Sequence, residues 1–117
     1  MREDSEAGDL PLAGAIALIT GSTRGLGRTT AELLLERGAN LVVSGRSRKD
    51  VGQTVAELSS AGPRVIGFAA DLSDIASTHK LAENAISAFG RIDILVNNAG
   101  MSLRGNFWDV TDAEWDE

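Results

Sequence analysis

The sequence has no cysteine and no tyrosine among its 117 residues. The first absence excludes disulfides and thiolate metal sites, and it removes thiols as a guide to redox compartment. The second means that none of these residues can pass a proton through a phenol. Histidine occurs once, as His79 within Thr78-His79-Lys80, with no serine, cysteine or metal-ligand partner at useful spacing. A place on a helix surface suits it better than catalysis. No apolar run approaches the roughly 18 residues of a membrane span, and the amino terminus carries no apolar signal segment. A cytoplasmic protein without membrane attachment is the expectation. No strong basic stripe is present either, which argues against a nucleic-acid partner.

What remains is ordinary for a globular chain, with 43% hydrophobic and 24% charged residues, enough for one modest domain with a small core. The net charge of −6 is uneven. Residues 1–9 and 109–117 hold the acidic excess, and the stretch between them is mildly basic, which suits a small anionic ligand. Residues 1–11 are expected to be a disordered acidic leader, and residues 12–117 a single domain. The sequence shows no repeat, low-complexity tract or linker.

The organising stretch is Thr20-Gly21-Ser22-Thr23-Arg24-Gly25-Leu26-Gly27, which follows the apolar run Ala15-Ile16-Ala17-Leu18-Ile19. Strand, glycine-rich turn and helix follow one another there. Glycines permit a tight turn with positive φ and a close backbone approach to a ligand. The free N–H groups and positive dipole end of the helix then suit a phosphate. A tight turn with no ligand is the plain alternative. Downstream, strands are expected at 15–20, 40–44, 65–69 and 94–97. Helices are expected at 25–37, from 47 to about 61, and at 74–89. The first would bury Leu26, Thr30, Leu33 and Leu34, the second Val51, Val55 and Leu58, the third Ile75, Ala82, Ile86 and Phe89. Gly38 and Gly90 are good helix stops, and Ser47 with Asp50 has capping-box spacing. This alternation predicts a doubly wound parallel α/β sheet.

Three further motifs join the glycine loop: Asp71-Leu72 after the third strand, Asn97-Asn98-Ala99-Gly100 after the fourth, and Leu12-Ala13-Gly14 ahead of the first. Together they resemble the short-chain dehydrogenase/reductase family over about residues 12–117, although Ala15 stands where a lysine is frequent. The glycine loop looks most like the 3-oxoacyl-carrier-protein reductase branch, and sugar and steroid reductases share it. The resemblance implies a Rossmann-like sheet of order 3-2-1-4. It places Gly21, Thr23, Arg24, Gly25, Leu26 and Gly27 around a cofactor pyrophosphate and the neighbouring ribose. Asp71 would contact the adenine through its carboxylate and Leu72 through its backbone. Asn98, Ala99 and Gly100 would line the nicotinamide-side ribose. Asn97 would tie strands together through backbone groups. On spacing alone, Asp71 also reads as a turn or cap residue ahead of Ser73-Asp74.

The second strand ends in Ser44-Gly45-Arg46-Ser47-Arg48. Selection of NAD calls for an acidic residue there to hold the ribose 2′-OH. Gly45 offers none, and Arg46, with Ser47 beside it and Arg24 in the glycine loop, can grip a 2′-phosphate. NADP(H) is therefore expected over NAD(H). A solvated helix start is the plain alternative for Arg46, Arg48 and Lys49.

The family's chemistry uses a serine after a fifth strand and a Tyr-x-x-x-Lys pair; none of the serines here follows a fifth strand, and without tyrosine the pair is lacking. Thr111-Asp112-Ala113-Glu114 has the form of a capping box, with Trp115 opening a helix that Glu117 leaves short. The expectation is the cofactor-binding half of an NADP(H)-dependent oxidoreductase acting on a small carbonyl or alcohol, homo-oligomeric as a dimer or tetramer. The alternatives are a non-catalytic NADP(H)-binding module and a fragment that assembles with another chain.

Overall fold

The computed structural model describes residues 10–59 and 62–98. In chain order they form β1 (Ile16–Ile19), α1 (Gly25–Glu36), β2 (Asn40–Gly45), α2 (Arg48–Leu58), β3 (Val65–Ala69), α3 (Ile75–Phe89) and β4 (Ile94–Val96). All strand pairs are parallel, in the order β3-β2-β1-β4. Both the alternation and the order agree with the sequence reading. Residues 1–9 of the expected leader, and the capping box at 111–114, lie outside the described residues.

All four residues of β1 are buried because helices cover both faces of the sheet. The period of two along each strand sorts side chains into two layers. Ala17, Ile19, Leu41 and Val43 meet Ala31 and Leu35 of α1 and Val51 and Leu58 of α2. On the opposite face Leu18 and Val42 meet Leu81 and Ala85 of α3. That two-sided cover is what doubly wound means.

The helix faces differ from the expected stripes. In α1 the buried residues are Gly27, Ala31 and Leu35, while Leu26 and Leu33 are 67% and 47% exposed. Along its first two turns the helix presents Gly27 and Ala31 to the sheet, where small residues allow close approach; Leu35 fills the core at its far end, and Leu26 and Leu33 flank the contact. In α3 the buried pair is Leu81 and Ala85, with Ile75 and Ile86 about half exposed and Ala82 exposed. Phe89 keeps its expected place against the core, with the Arg64 guanidinium 5.0 Å from its ring centroid. In α2 Thr54 joins Val51 and Leu58 in the interior. Val55 packs at the margin of that core, over Gly67, where any Cβ would come 2.8 Å from Val55 Cγ2.

The helix ends follow their residues. Gly38 and Gly90, with φ of 99° and 88°, take the left-handed conformation that ends α1 and α3. At the amino edge of the sheet the Ile16 N–H donates to Asp93 Oδ2 at 2.9 Å, and the Asp93 N–H donates to Ile16 O at 2.8 Å. Arg91 reaches both Asp93 and the Gly14 carbonyl. This cluster fixes β4 beside β1, far from the glycine loop at the other end of the strands.

Candidate functional site at the carboxyl edge of the sheet

Parallel strands put all their carboxyl ends on one side, so the loops after β1, β2, β3 and β4 meet there. The glycine loop is held by polar residues at its base. Thr20 Oγ1 accepts from the Asn98 N–H at 2.9 Å and donates to Asn97 Oδ1 at 3.2 Å. Among the described residues, Asn97 ties β4 to β1 through the Thr20 hydroxyl. Asn98 Nδ2 donates to the Gly21 carbonyl at 3.1 Å. Ser22 is fully buried. Its Oγ donates to Ile19 O at 2.8 Å and accepts from the Ser44 N–H at 3.0 Å, and its own N–H donates to Ser44 O at 2.9 Å. Ser22 therefore joins the exits of β1 and β2. It stands outside the expected site because its partner Ser44 is 22 residues away and becomes a neighbour only through the sheet order.

Each glycine of the loop has its own reason. Gly21 and Gly25 have φ of 59° and 61°, a region that side chains disfavour. Gly27 is a matter of space: a Cβ would overlap the Gly21 carbonyl oxygen and stand 2.8 Å from Asn98 Nδ2. Above this floor, α1 starts without a cap. Its N-cap Arg24 makes no side-chain capping bond, and its first turn carries no acidic residue. The other two helices are capped, α2 by Ser47 and α3 by Asp74. The first-turn N–H groups of α1, on Gly25, Leu26 and Gly27, have no intrahelical acceptor and sit beside the glycine turn.

At the exit of β2, a Cβ on Gly45 would meet Thr23 Cγ2 at 2.9 Å. Thr23 fills the space that a side chain at 45 would claim. Arg46 and Ser47 are exposed, and the Ser47 hydroxyl accepts from the Asp50 N–H at 3.1 Å. Between α1 and α2 an open polar groove runs past Thr23, Arg24, Arg28, Asp50 and Glu57. Arg28 spans it, with Nε 3.0 Å from Glu32 and a terminal nitrogen 2.9 Å from Glu57. The Gln53 amide and then Arg28 hold the Glu57 carboxyl below its ordinary range. Within that groove the Arg28 charge is thus neutralised by Glu32 and Glu57.

After β3, Asp71 Oδ1 accepts from the Ser73 N–H at 3.0 Å and from Ser73 Oγ at 2.7 Å. The turn role read from spacing is thus present in the structure. The cap role belongs to Asp74, whose Oδ1 accepts from the Ala76 N–H at 3.2 Å. The two Ser73 bonds hold the Asp71 carboxyl below its ordinary range against the opposing effect of burial, with the Arg46 charge pulling more weakly in the same direction. The Leu72 side chain packs against the α3-side core. The structure thus brings Gly21, Thr23, Arg24, Gly25, Leu26 and Gly27 to one edge with Arg46, Ser47, Asp71, Leu72 and Asn98. Ala99 and Gly100 lie outside the described residues. His79 is exposed on α3. Among the described residues there is no cluster of potential metal ligands and no helix long and apolar enough to cross a membrane.

A doubly wound sheet with an uncapped helix over a glycine turn at its carboxyl edge defines a Rossmann-like nucleotide-binding architecture. Residues 15–117 match the family described as short chain dehydrogenase, and the chain belongs to that family of oxidoreductases. It is 45% identical over 101 residues to a (2S)-[(R)-hydroxy(phenyl)methyl]succinyl-CoA dehydrogenase subunit, BbsD, of Thauera aromatica, covering 86% of this chain and 41% of that one. A short chain dehydrogenase/reductase from Burkholderia phymatum, solved in complex with NAD, is 37% identical with a TM-score of 0.68, covering 72% of this chain and 30% of that one. A Pseudomonas aeruginosa RhlG/NADP active-site complex is 41% identical with a TM-score of 0.71, covering 75% of this chain and 35% of that one. The chain spans about two fifths of the length of the curated relatives it matches.

Proposed function

We propose that these residues form the cofactor-binding part of an NADP(H)-dependent oxidoreductase that moves a hydride between the nicotinamide and a carbonyl or alcohol carbon of a small molecule. The observation that carries this reading is the uncapped start of α1 above a glycine turn into which no Cβ fits at Gly27. A pyrophosphate supplies the acceptors that the first-turn N–H groups lack within the helix. In this reading Gly21, Thr23, Arg24, Gly25, Leu26 and Gly27 hold the pyrophosphate and its ribose. Asp71 and Leu72 meet the adenine, and Asn98, Ala99 and Gly100 meet the nicotinamide-side ribose.

The related solved structures include one complex with NAD and one with NADP, so this chain's own residues argue the choice. Gly45 places no carboxylate beside the ribose 2′ position, Thr23 occupies that space, and Arg46 with Ser47 follows directly. A guanidinium holds a 2′-phosphate with charge-assisted bonds that a hydroxyl cannot match. Titration of the chain with NADPH and NADH checks this. The expected result is NADPH tighter by about 10- to 100-fold, from roughly 1.5–3 kcal/mol for bonds to a charged group. Arg46→Asp is expected to abolish that margin. Equal affinities in the unsubstituted chain, or an unchanged margin in the variant, would overturn the NADP(H) reading.

A second reading rests on the absence of tyrosine. On it, these 117 residues by themselves bind the cofactor without turning it over. Binding of NADPH without consumption in the presence of carbonyl compounds is its expected signature. Activity gained only on adding a second polypeptide would favour assembly from fragments. A cytoplasmic, homo-oligomeric parent enzyme completes the proposal.

A further inference from the structure

Ser73 belongs to none of the groups assigned above, yet it makes the shortest polar contact in the loop after β3. Its hydroxyl and its amide both donate to the same oxygen, Oδ1 of Asp71, at 2.7 and 3.0 Å. The Asp71 main chain is held as well, its N–H donating to Ser77 Oγ at 2.9 Å and its carbonyl accepting from the Asp74 N–H at 3.0 Å. Three atoms of Asp71 are therefore held, the N–H by Ser77 in the first turn of α3, the carbonyl by the N-cap Asp74 and Oδ1 by Ser73 within the loop. None of the hydrogen bonds among the described residues falls on Oδ2. Such an arrangement spends one carboxylate oxygen on orientation and leaves the other as an acceptor with fixed placement.

We propose that Ser73 is a positioning residue for base selection: by engaging Oδ1 it presents Asp71 Oδ2 as the acceptor for the exocyclic amine of an adenine-type base. This rests on the reading of Asp71 as the adenine contact. A carboxylate fixed by two donors discriminates between a base with a 6-amino donor and one with a 6-oxo acceptor. A carboxylate free to rotate loses part of that discrimination, because ordering it then costs side-chain entropy on binding.

The test compares the affinity of the full chain for NADPH with that for its hypoxanthine counterpart, which carries a 6-oxo group in place of the amine. The unsubstituted protein is expected to prefer the adenine form. Ser73→Ala is expected to shrink that preference about fivefold, the worth of roughly one hydrogen bond. Ser73→Thr, which keeps a hydroxyl, should restore it. Far-ultraviolet circular dichroism and the melting temperature verify that each variant folds. A structural role for Ser73 would weaken both cofactor forms equally and leave their ratio unchanged, which would overturn the proposal. Asp71→Ala, which leaves no side-chain acceptor, separates the two levels of the argument. If it leaves the base preference intact, the adenine reading of Asp71 fails and takes the role of Ser73 with it. If it removes the preference and Ser73→Ala does not, Asp71 keeps its role and Ser73 loses this one.

Discussion

Gly27 and Gly52 both lie within helices, and alanine in place of each should move stability in opposite directions. On propensity alone both substitutions gain about 1 kcal/mol, because alanine loses less backbone entropy in a helix. Gly52 is on the exposed face of α2 and a Cβ there meets nothing within 4 Å. Gly52→Ala should therefore stabilise by about 0.5–1 kcal/mol. At Gly27 the new methyl would overlap the Gly21 carbonyl oxygen and crowd Asn98 Nδ2 at 2.8 Å. The obstacle is backbone in a loop that Ser22 and Thr20 hold from beneath, so it cannot swing aside as a side-chain tip would. Relief requires α1 to lift from the turn by roughly 1 Å, a distance at which close-packed contacts lose much of their attraction.

Overpacking of this kind costs about 1–3 kcal/mol, and the Asn98–Gly21 hydrogen bond, worth about 1 kcal/mol, is lost with it. Set against the propensity gain, Gly27→Ala should destabilise by about 1–3 kcal/mol net. Urea denaturation followed by circular dichroism measures both variants. With a slope of roughly 1–2 kcal/mol per molar, the midpoint for Gly27→Ala should fall by about 0.5 M or more and that for Gly52→Ala should rise. A Gly27→Ala midpoint at or above that of the parent chain would refute the packing argument. The same variant should also lose NADPH affinity, since the displaced turn is the proposed pyrophosphate floor.

Ser22→Ala leaves the buried Ser44 N–H without its acceptor at 3.0 Å and should cost about 1–3 kcal/mol, seen as a lower melting temperature; an unchanged melting temperature would contradict the bridging role. Asp93 is held below its ordinary range first by the Ile16 N–H and then, more weakly, by Arg91, against burial. A depressed folded-state value means its stabilisation is present above the unfolded aspartate range and is lost as pH falls through the lower folded value. The stability gap between the parent chain and Asp93→Asn, which keeps an acceptor but no charge, should accordingly close as pH drops below about 4; a gap constant from pH 6 to pH 3 would contradict this. Arg28→Ala removes ion pairs to Glu32 and Glu57 that are partly exposed. It should cost no more than about 1 kcal/mol, a loss that shrinks in high salt, and a large, salt-independent loss would point to packing instead.

The strands and the helix stops were legible because they depend on local signals: apolar runs, Gly38 and Gly90 at helix ends, and turns at regular spacing; the sheet order is non-local and came with the family resemblance. Helix faces were not. Periodicity weights residues by hydrophobicity, so it pointed to Leu26 and Leu33 in α1, whereas the sheet selected Gly27 and Ala31 for their small size. In α3 the same weighting favoured Ile75 and Ile86 over Leu81 and Ala85. At the site, the glycine loop and Asp71 announced themselves by motif. The residues that hold them, Ser22 and Ser73, did not. A buried serine is recognised by what it bonds, and Ser22 finds its partner at Ser44 only after β1 and β2 lie side by side. Ser73 was within reach, since Asp-x-Ser is an Asx-turn pattern, but nothing in the spacing said that both of its donors would fall on a single oxygen.

Cofactor choice and fold stability meet at Gly45, and the structure separates them. Gly45 is absent from the glycines with positive φ, so its backbone is one that any residue can adopt. The obstacle to a larger residue is Thr23 Cγ2, 2.9 Å from the position of a new Cβ, and a threonine methyl at a loop can turn away. The absence of a carboxylate at this place is thus not imposed by packing. Glycine at 45 can be replaced without rebuilding the loop, whereas Gly27 cannot, although both belong to the same edge of the sheet. Residues facing the floor of the glycine turn are constrained by backbone contact, and those facing the proposed 2′ position only by a side-chain tip. The affinity for a pyrophosphate should therefore be resistant to single substitutions at the exit of β2, and the preference between phosphate and hydroxyl at the ribose should be readily altered by them.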